Sequence, residues 1–303
     1  MSTNSVHQRA AGQEKVYSAF SLVLIALAKD RLALCGLIIL GIFILLAVFA
    51  PIISPQNPYD LMQLDIMEGR LAPGASSAGG MSYWLGTDDQ GRDLFSAILY
   101  GTRISLMVGF SSAVFALLIG ASLGLISAYV GGRTDAVIMR IVDIQLSFPP
   151  ILIALILLAV LGQGVDKIIL ALVVTQWAYY ARTIRGSALV ERRRSYVDAA
   201  RSMALSNRRI LFRHILPNCL APLIVVATMR IAYAIMLEAT LSFLGIGLPV
   251  TEPSLGLLIA NGFEYLMSGD YWISFFPGLT LLLLIVAINL VGDALRDILN
   301  PRN

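Results

Sequence analysis

The chain has 303 residues, 57% of them apolar and only 14% charged, with a mean hydropathy of +0.79. A soluble domain carries about 25% charged residues, which excludes a water-soluble globular protein and a disordered one. The net charge of +3 says less than the placement of the charges, and the useful unit of length is a membrane span of about 20 apolar residues.

The first 31 residues carry Arg9, Lys15, Lys29 and Arg31 ahead of an apolar run over 32–59 that has no Asp, Glu, Lys or Arg. That run is too long for a signal-peptide core, and Pro51 and Pro55 follow it rather than a small-residue cleavage site. It reads as a retained anchor. Further charge-free runs cover 104–132, 144–165 and 271–292. A shorter one, 168–181, can be extended by Lys167 snorkelling from its end. A sixth apolar region from Cys219 is interrupted by Arg230 and Glu238. Six helices are expected, at about 32–53, 105–129, 139–161, 166–184, 218–244 and 272–294. Continuous apolarity argues against a barrel, whose strands would alternate.

Segment by segment, 1–31 is a basic N-terminal stretch and 32–53 the first helix. Residues 54–104 form a loop with an amphipathic end, and 105–303 a five-helix core interrupted by a loop at 182–217. In the 54–104 loop, Asp88, Asp89 and Asp93 lack the alternating ligands and terminal Glu of a calcium loop. Gly86-Thr87-Asp88 reads as a turn, and the acidic group as a cap on the 93–104 segment. No metal site is expected: Cys35, Cys219, His7 and His214 are all isolated, which leaves no disulfide, zinc site or histidine pair.

In the second helix Ser112, Ala116, Gly120, Gly124, Ala128 and Gly132 recur every fourth residue. Such a face lets another helix approach closely, within the bundle or across a dimer. Pro149 and Pro150 should kink the third helix. Nine of the 22 basic residues fall between Arg182 and Arg213. Within that loop Tyr196, Val197, Ala200 and Met203 lie at helical spacing, Ser195 is placed to cap, and Ser206-Asn207 to terminate. The resulting short helix would either lie on the membrane surface or present Ala199 and Ala200 to a close-fitting partner. Arg230 lies about 20 Å into its span at about 1.5 Å per residue, where an unpaired arginine is costly. It either lines a translocation pathway with Glu238 and Asn289 or belongs to a structural ion pair. Asn289 and Asp293 are expected as buried hydrogen-bonding groups at a helix interface, or in a gate.

With the N-terminus inside, 17 of 22 basic residues fall on the inner side, which orients both termini toward the cytoplasm. The arginines are thereby explained by topology, and a nucleic-acid partner is not expected. Intramembrane catalysis lacks paired groups within the spans. No lysine sits in a phosphate-binding loop, so the chain cannot hydrolyse ATP. An ion-coupled secondary transporter would show internal repeats, and no two halves of the chain resemble each other.

The stretch Asp198-Ala199-Ala200-Arg201-Ser202-Met203-Ala204, followed by Ile215-Leu216-Pro217-Asn218, resembles the coupling motif of ATP-binding-cassette importer permeases. That pattern is Glu-Ala-Ala, three residues, Gly, about nine residues, then hydrophobic-Leu-Pro. Here Asp198 stands for Glu and Ala204 for Gly; the latter departure implies a helix end needing no positive φ, or an altered turn. Leu85 to Asp93, Glu238 to Gly247, and Gly292 to Asp297 with Asn300-Pro301-Arg302 resemble the dipeptide/oligopeptide/nickel branch, in its C-type subunit. The resemblance implies an all-α integral membrane permease of the type I importer fold, with a coupling helix, in the bacterial inner membrane. It implies a second permease chain, two ATPase subunits holding ATP and Mg, and an external solute-binding protein, with no cofactor on this chain. Tyr196, Asp198, Ala199, Ala200, Arg201, Ala204 and Pro217 would meet the ATPase. Di- or oligopeptides are the implied cargo, with nickel complexes, glutathione or another small solute as alternatives.

Overall fold

The computed structural model describes residues 26–77 and 79–299. Arg9, Lys15 and the terminal Asn300-Pro301-Arg302 lie outside them.

Asp30 starts α1 (Arg31–Val48), its carboxylate accepting from the Leu32 and Ala33 amides. Orphan donors at a helix start need such an acceptor. A long excursion follows, folded on itself by two short 3₁₀ turns and a two-stranded antiparallel ribbon, β1 (Ala75–Ser76) with β2 (Ser82–Tyr83). The expected cap is present: Asp93 accepts from the Ser96 amide and hydroxyl and opens α2 (Leu94–Val130). The 93–104 segment is therefore no separate amphipathic piece. It is the first three turns of a 37-residue helix, about 55 Å long.

Gly131 and Gly132, with φ of 72° and 55°, reverse the chain into α3 (Gly132–Ser147). Glycine takes these left-handed angles at no steric cost. Phe148 is extended (φ −96°, ψ 141°), as the residue before a proline must be. Pro149 and Pro150 then start α4 (Pro150–Leu161), bent 90° from α3. The prolines give a break here rather than a kink. The remaining elements are α5 (Val165–Glu191), α6 (Ser195–Ser202), α7 (Leu220–Phe243), α8 (Leu255–Glu264) and α9 (Trp272–Leu299).

Four of these helices, α1, α2, α7 and α9, are long and apolar enough to cross a membrane, and the bent α3–α4 pair makes a fifth when the two are counted as one span. The expected sixth, α5, is a 27-residue helix that falls short on apolarity because it carries Asp166, Lys167, Arg182, Arg185 and Glu191. The ten-residue apolar α8 was not anticipated. It is wedged between α7 and α9, where a Cβ on Gly256 would collide with the Ala239 carbonyl and one on Gly262 with the Ser274 amide.

The most extensive helix pair is α2 with α5. A Cβ on Gly120 would strike the Trp177 carbonyl, and one on Gly124 the Ala181 carbonyl. The small-residue face thus packs inside the bundle, as such faces do where no hydrophobic drive separates helix from lipid. Gly36 gives α1 the same close approach to Leu290 and Ala287 of α9. Cys35 is exposed and Cys219 buried, both as free thiols.

Candidate functional site

At one end of the bundle, α6 rides on a core built from the ends of α2, α5 and α7. Val197 and Ala200 point into it, beside Ile184, Ala188, Ile210, Ile215 and Leu223. Their i, i+3 spacing places both on one helix face. Ala200, expected to face outward, is only 5% exposed. Asp198, Ala199 and Arg201 are exposed, so of the two alanines only Ala199 faces outward. Asp198 and Arg201 pair with each other at 3.3 Å in solvent, an arrangement worth under about 1 kcal/mol.

Ser195 does not cap α6. It is the first helical residue, and Arg194 occupies the cap position without a side-chain bond. Ser206 instead caps the next turn, through the Arg209 amide. The helix ends in a tight reversal: the Leu205 amide donates to Ala200 O (3.2 Å) and the Ala204 amide to Arg201 O (2.9 Å), a Schellman pattern. That pattern needs a left-handed residue, and Ala204 supplies it at φ 52°. The replacement of Gly by Ala has not relaxed the turn; it has been accommodated at the cost of strain.

Tyr196 fastens α6 sideways. Its hydroxyl donates to Glu191 Oε2 (2.7 Å) and accepts from Asn218 Nδ2 (3.1 Å), and burial with the Glu191 bond pushes the phenol up to about 12. Pro217 sits in a one-turn helix after a wide π-helical stretch, Ile210–Ile215. The Leu216 amide reaches five residues back to Leu211, immediately before a proline that has no amide to offer. Two residues not singled out in the sequence, Arg192 and Tyr129, complete the mount. Arg192 Nη1 donates to Ala128 O at the end of α2 (2.8 Å) and stacks over Tyr129. The Tyr129 hydroxyl donates to Asn207 (2.6 Å).

Within the spans, Arg230 has no carboxylate partner among the described residues. Its guanidinium lies 3.5 Å over the Tyr179 ring and 5.4 Å from Tyr233, so the structural ion pair is not formed. Glu238 is fully buried, accepting from Ser105 Oγ and Ser242 Oγ at 2.9 Å each. It joins α2 to α7 and does not meet Arg230. Asn289 and Asp293 are exposed rather than buried, because Leu284, Ala287, Ile288 and Ala294 occupy the inward face of α9. An unforeseen tie, Arg185 bidentate on Asp135 (2.6 and 2.7 Å) with Ser127 donating to the same carboxylate, joins α5, α3 and α2.

At the opposite end, the excursion before α2 closes over α8. Asp88 and Arg92 form a buried pair, and Arg92 Nη1 donates to Val250 O (3.2 Å). Asn261 Nδ2 donates to Asp89 (3.4 Å), and Arg70 pairs with Asp270 (3.6 Å). Burial raises the Asp89 and Asp93 carboxyls above the usual range, opposed at Asp89 by Arg92 and at Asp93 by the Ser96 bonds. The three aspartates thus serve a fold, each in a different bond.

Residues 120–303 match the family model of binding-protein-dependent transport system inner membrane components. The chain belongs to this family. Residues 18–73 also match the N-terminal TM domain of oligopeptide transport permease C. Among relatives of the permease, the dipeptide transport system permease protein DppC of Alkalihalophilus pseudofirmus is 38% identical over 276 residues, 91% of this chain and 88% of that one. The oligopeptide transport system permease protein OppC of Bacillus subtilis is 37% identical over 289 residues, 95% and 92% of the two chains. The permease fold also resembles the inward-facing MetNI methionine ABC transporter, with TM-score 0.55, 21% identity, and coverage of 67% of this chain and 96% of that one. It is a multi-pass membrane permease.

Proposed function

We propose that this permease forms half of the translocation pathway of an ATP-driven peptide importer and that α6 transmits the closure of a separate ATPase pair. The relatives named for dipeptides and oligopeptides support the substrate. The basic residues around α6, nine between Arg182 and Arg213, support a cytoplasmic face for that end, with both chain termini on the same side. Six crossings follow when α5 and the broken α3–α4 pair each count as one; α5 carries no charge over 168–181 and is about 40 Å long.

The observation that carries the coupling reading is the mounting of α6. A short helix exposes Ala199 between Asp198 and Arg201, while Val197, Ala200 and Tyr196 tie it to α5 and α7. A push on α6 is therefore delivered to the spans. The partners are a second permease, two ATPase subunits that hold ATP and Mg, and a solute-binding protein on the far side. This chain binds no cofactor of its own. The test is reconstitution of the five-part complex in liposomes with a labelled dipeptide. Ala199→Trp should hydrolyse ATP with uptake reduced more than about tenfold. Normal uptake by that variant would sink the coupling role, and a wild-type complex that moves no peptide would sink the substrate class.

A further inference from the structure

We infer that Arg230, Tyr179 and the Arg182–Asp143 pair form a carboxylate-binding belt on the pathway wall, which selects peptides with a free C-terminal carboxylate. This rests on the peptide-importer reading above. Arg230 is ten residues into α7 and Arg182 nine before the end of α5 at Glu191, and Asp143 is brought to the depth of Arg182 by their pairing. At about 1.5 Å per residue Arg230 and Arg182 lie about 13–15 Å from the end of the bundle that carries α6. They share one depth.

They also share one surface. Tyr179 and Arg182 are three apart on α5 and so face the same way. Tyr179 receives the Arg230 guanidinium from α7, and Arg182 pairs with Asp143 of α3 on the other side. The Arg182 and Asp143 side chains are 53% and 58% exposed. Lipid at this depth would not tolerate them, since charged groups within spans face a bundle interior or a water-filled path. The wall they mark is wet.

The charge of this belt does not cancel. Asp143 neutralises Arg182, and no described carboxylate pairs with Arg230. The Arg230 guanidinium lies over the Tyr179 and Tyr233 rings, which is how an aromatic face binds a cation. Its N–H groups lie in the guanidinium plane, where a carboxylate can take two at once. A peptide carries one group of that chemistry at its C-terminus. A neutral solute offers a guanidinium only uncharged acceptors, which make weaker hydrogen bonds than a carboxylate does, and a metal cation would be repelled by it.

The test compares uptake of a labelled dipeptide with uptake of its C-terminal amide by the reconstituted complex, each at saturating load of the binding protein. Wild type should favour the carboxylate form. Arg230→Gln should lower the carboxylate-to-amide ratio about tenfold, the loss of one hydrogen bond to a charged group, and Arg230→Lys should restore part of it. Co-purification of all subunits checks that each variant assembles. A ratio unchanged in Arg230→Gln, or a wild type indifferent to amidation, overturns the carboxylate belt while leaving peptide import standing. Failure of wild type to import either form would fall on the functional reading instead.

Discussion

Arg92 Nε donates to the Asp88 carboxylate over 2.6 Å, and neither side chain reaches solvent. Four residues apart, they lock the turn before α2 while Arg92 also holds the Val250 carbonyl after α7. Removing one partner of a buried pair leaves an uncompensated charge and costs about 3–5 kcal/mol. Arg92→Met should therefore lower the thermal unfolding midpoint of the detergent-solubilised permease far more than the double variant Asp88→Asn/Arg92→Met. Equal loss in both would show that the guanidinium acts through its Val250 contact alone.

Ala204→Gly should stabilise the end of α6. The left-handed φ of 52° costs an L-residue about 1 kcal/mol, and glycine removes that strain while keeping both Schellman bonds. Amide exchange at Leu205, whose N–H closes the turn, should slow by about fivefold. Faster exchange would mean that the extra freedom of glycine in the open loop outweighs the strain.

Alkaline pH should loosen the mount of α6 before it unfolds the bundle. The folded-state Tyr196 phenol is raised from 10.0 to about 12, so its contribution is complete below pH 10 and is lost as pH rises from 10 to about 12. Limited proteolysis of the 192–209 loop, followed against pH, should show a rise in that window. Tyr196→Phe should be cleaved faster throughout and should lack the step.

Gly124→Val should abolish assembly of the chain. The new side chain would meet the Ala181 carbonyl and Ile184 of α5, backbone and core that cannot swing aside, and overpacking of this kind costs about 3 kcal/mol or more. Gel filtration of the solubilised variant should show aggregate. Gly41→Val, in the apolar α1 with open space around it and an ordinary helical φ, should remain monodisperse. An aggregate from both would point to helix propensity rather than packing.

Spans declare themselves because a bilayer demands uninterrupted apolar residues: α1, α7 and α9 start within two positions of the expected 32, 218 and 272, whereas α2 starts eleven residues before the expected 105 and α9 runs on past Asp293. α8 escaped notice because the nine residues between Ser254 and Glu264 are too few for a crossing and too many for a turn. The mount of α6 was half legible. Its helical spacing placed Tyr196, Val197 and Ala200 together, but which alanine faces inward depends on where the helix starts, one residue from the expected cap. Arg185 with Asp135, and Arg192 with Ala128, join positions 50 and 64 apart, and no local pattern announces such partners. Ala204 misled because alanine is a poor left-handed residue, so its sequence argued for a turn that the hydrogen bonds rule out.

The glycine face of α2 also sets an order of events during synthesis. Gly124 meets Ala181, 57 positions downstream. At about 5–20 residues per second the ribosome needs about 3–11 s to deliver that partner. Throughout that interval the nascent α2 lies in lipid with a flat, unfilled side, while the 90° elbow at Pro149–Pro150 is already being made. Its correct neighbour is the fifth helix to emerge, not the next. A chaperone or insertase that shields one helix flank for seconds would therefore have a specific client here, and a pause in translation between residues 132 and 165 would prolong its task.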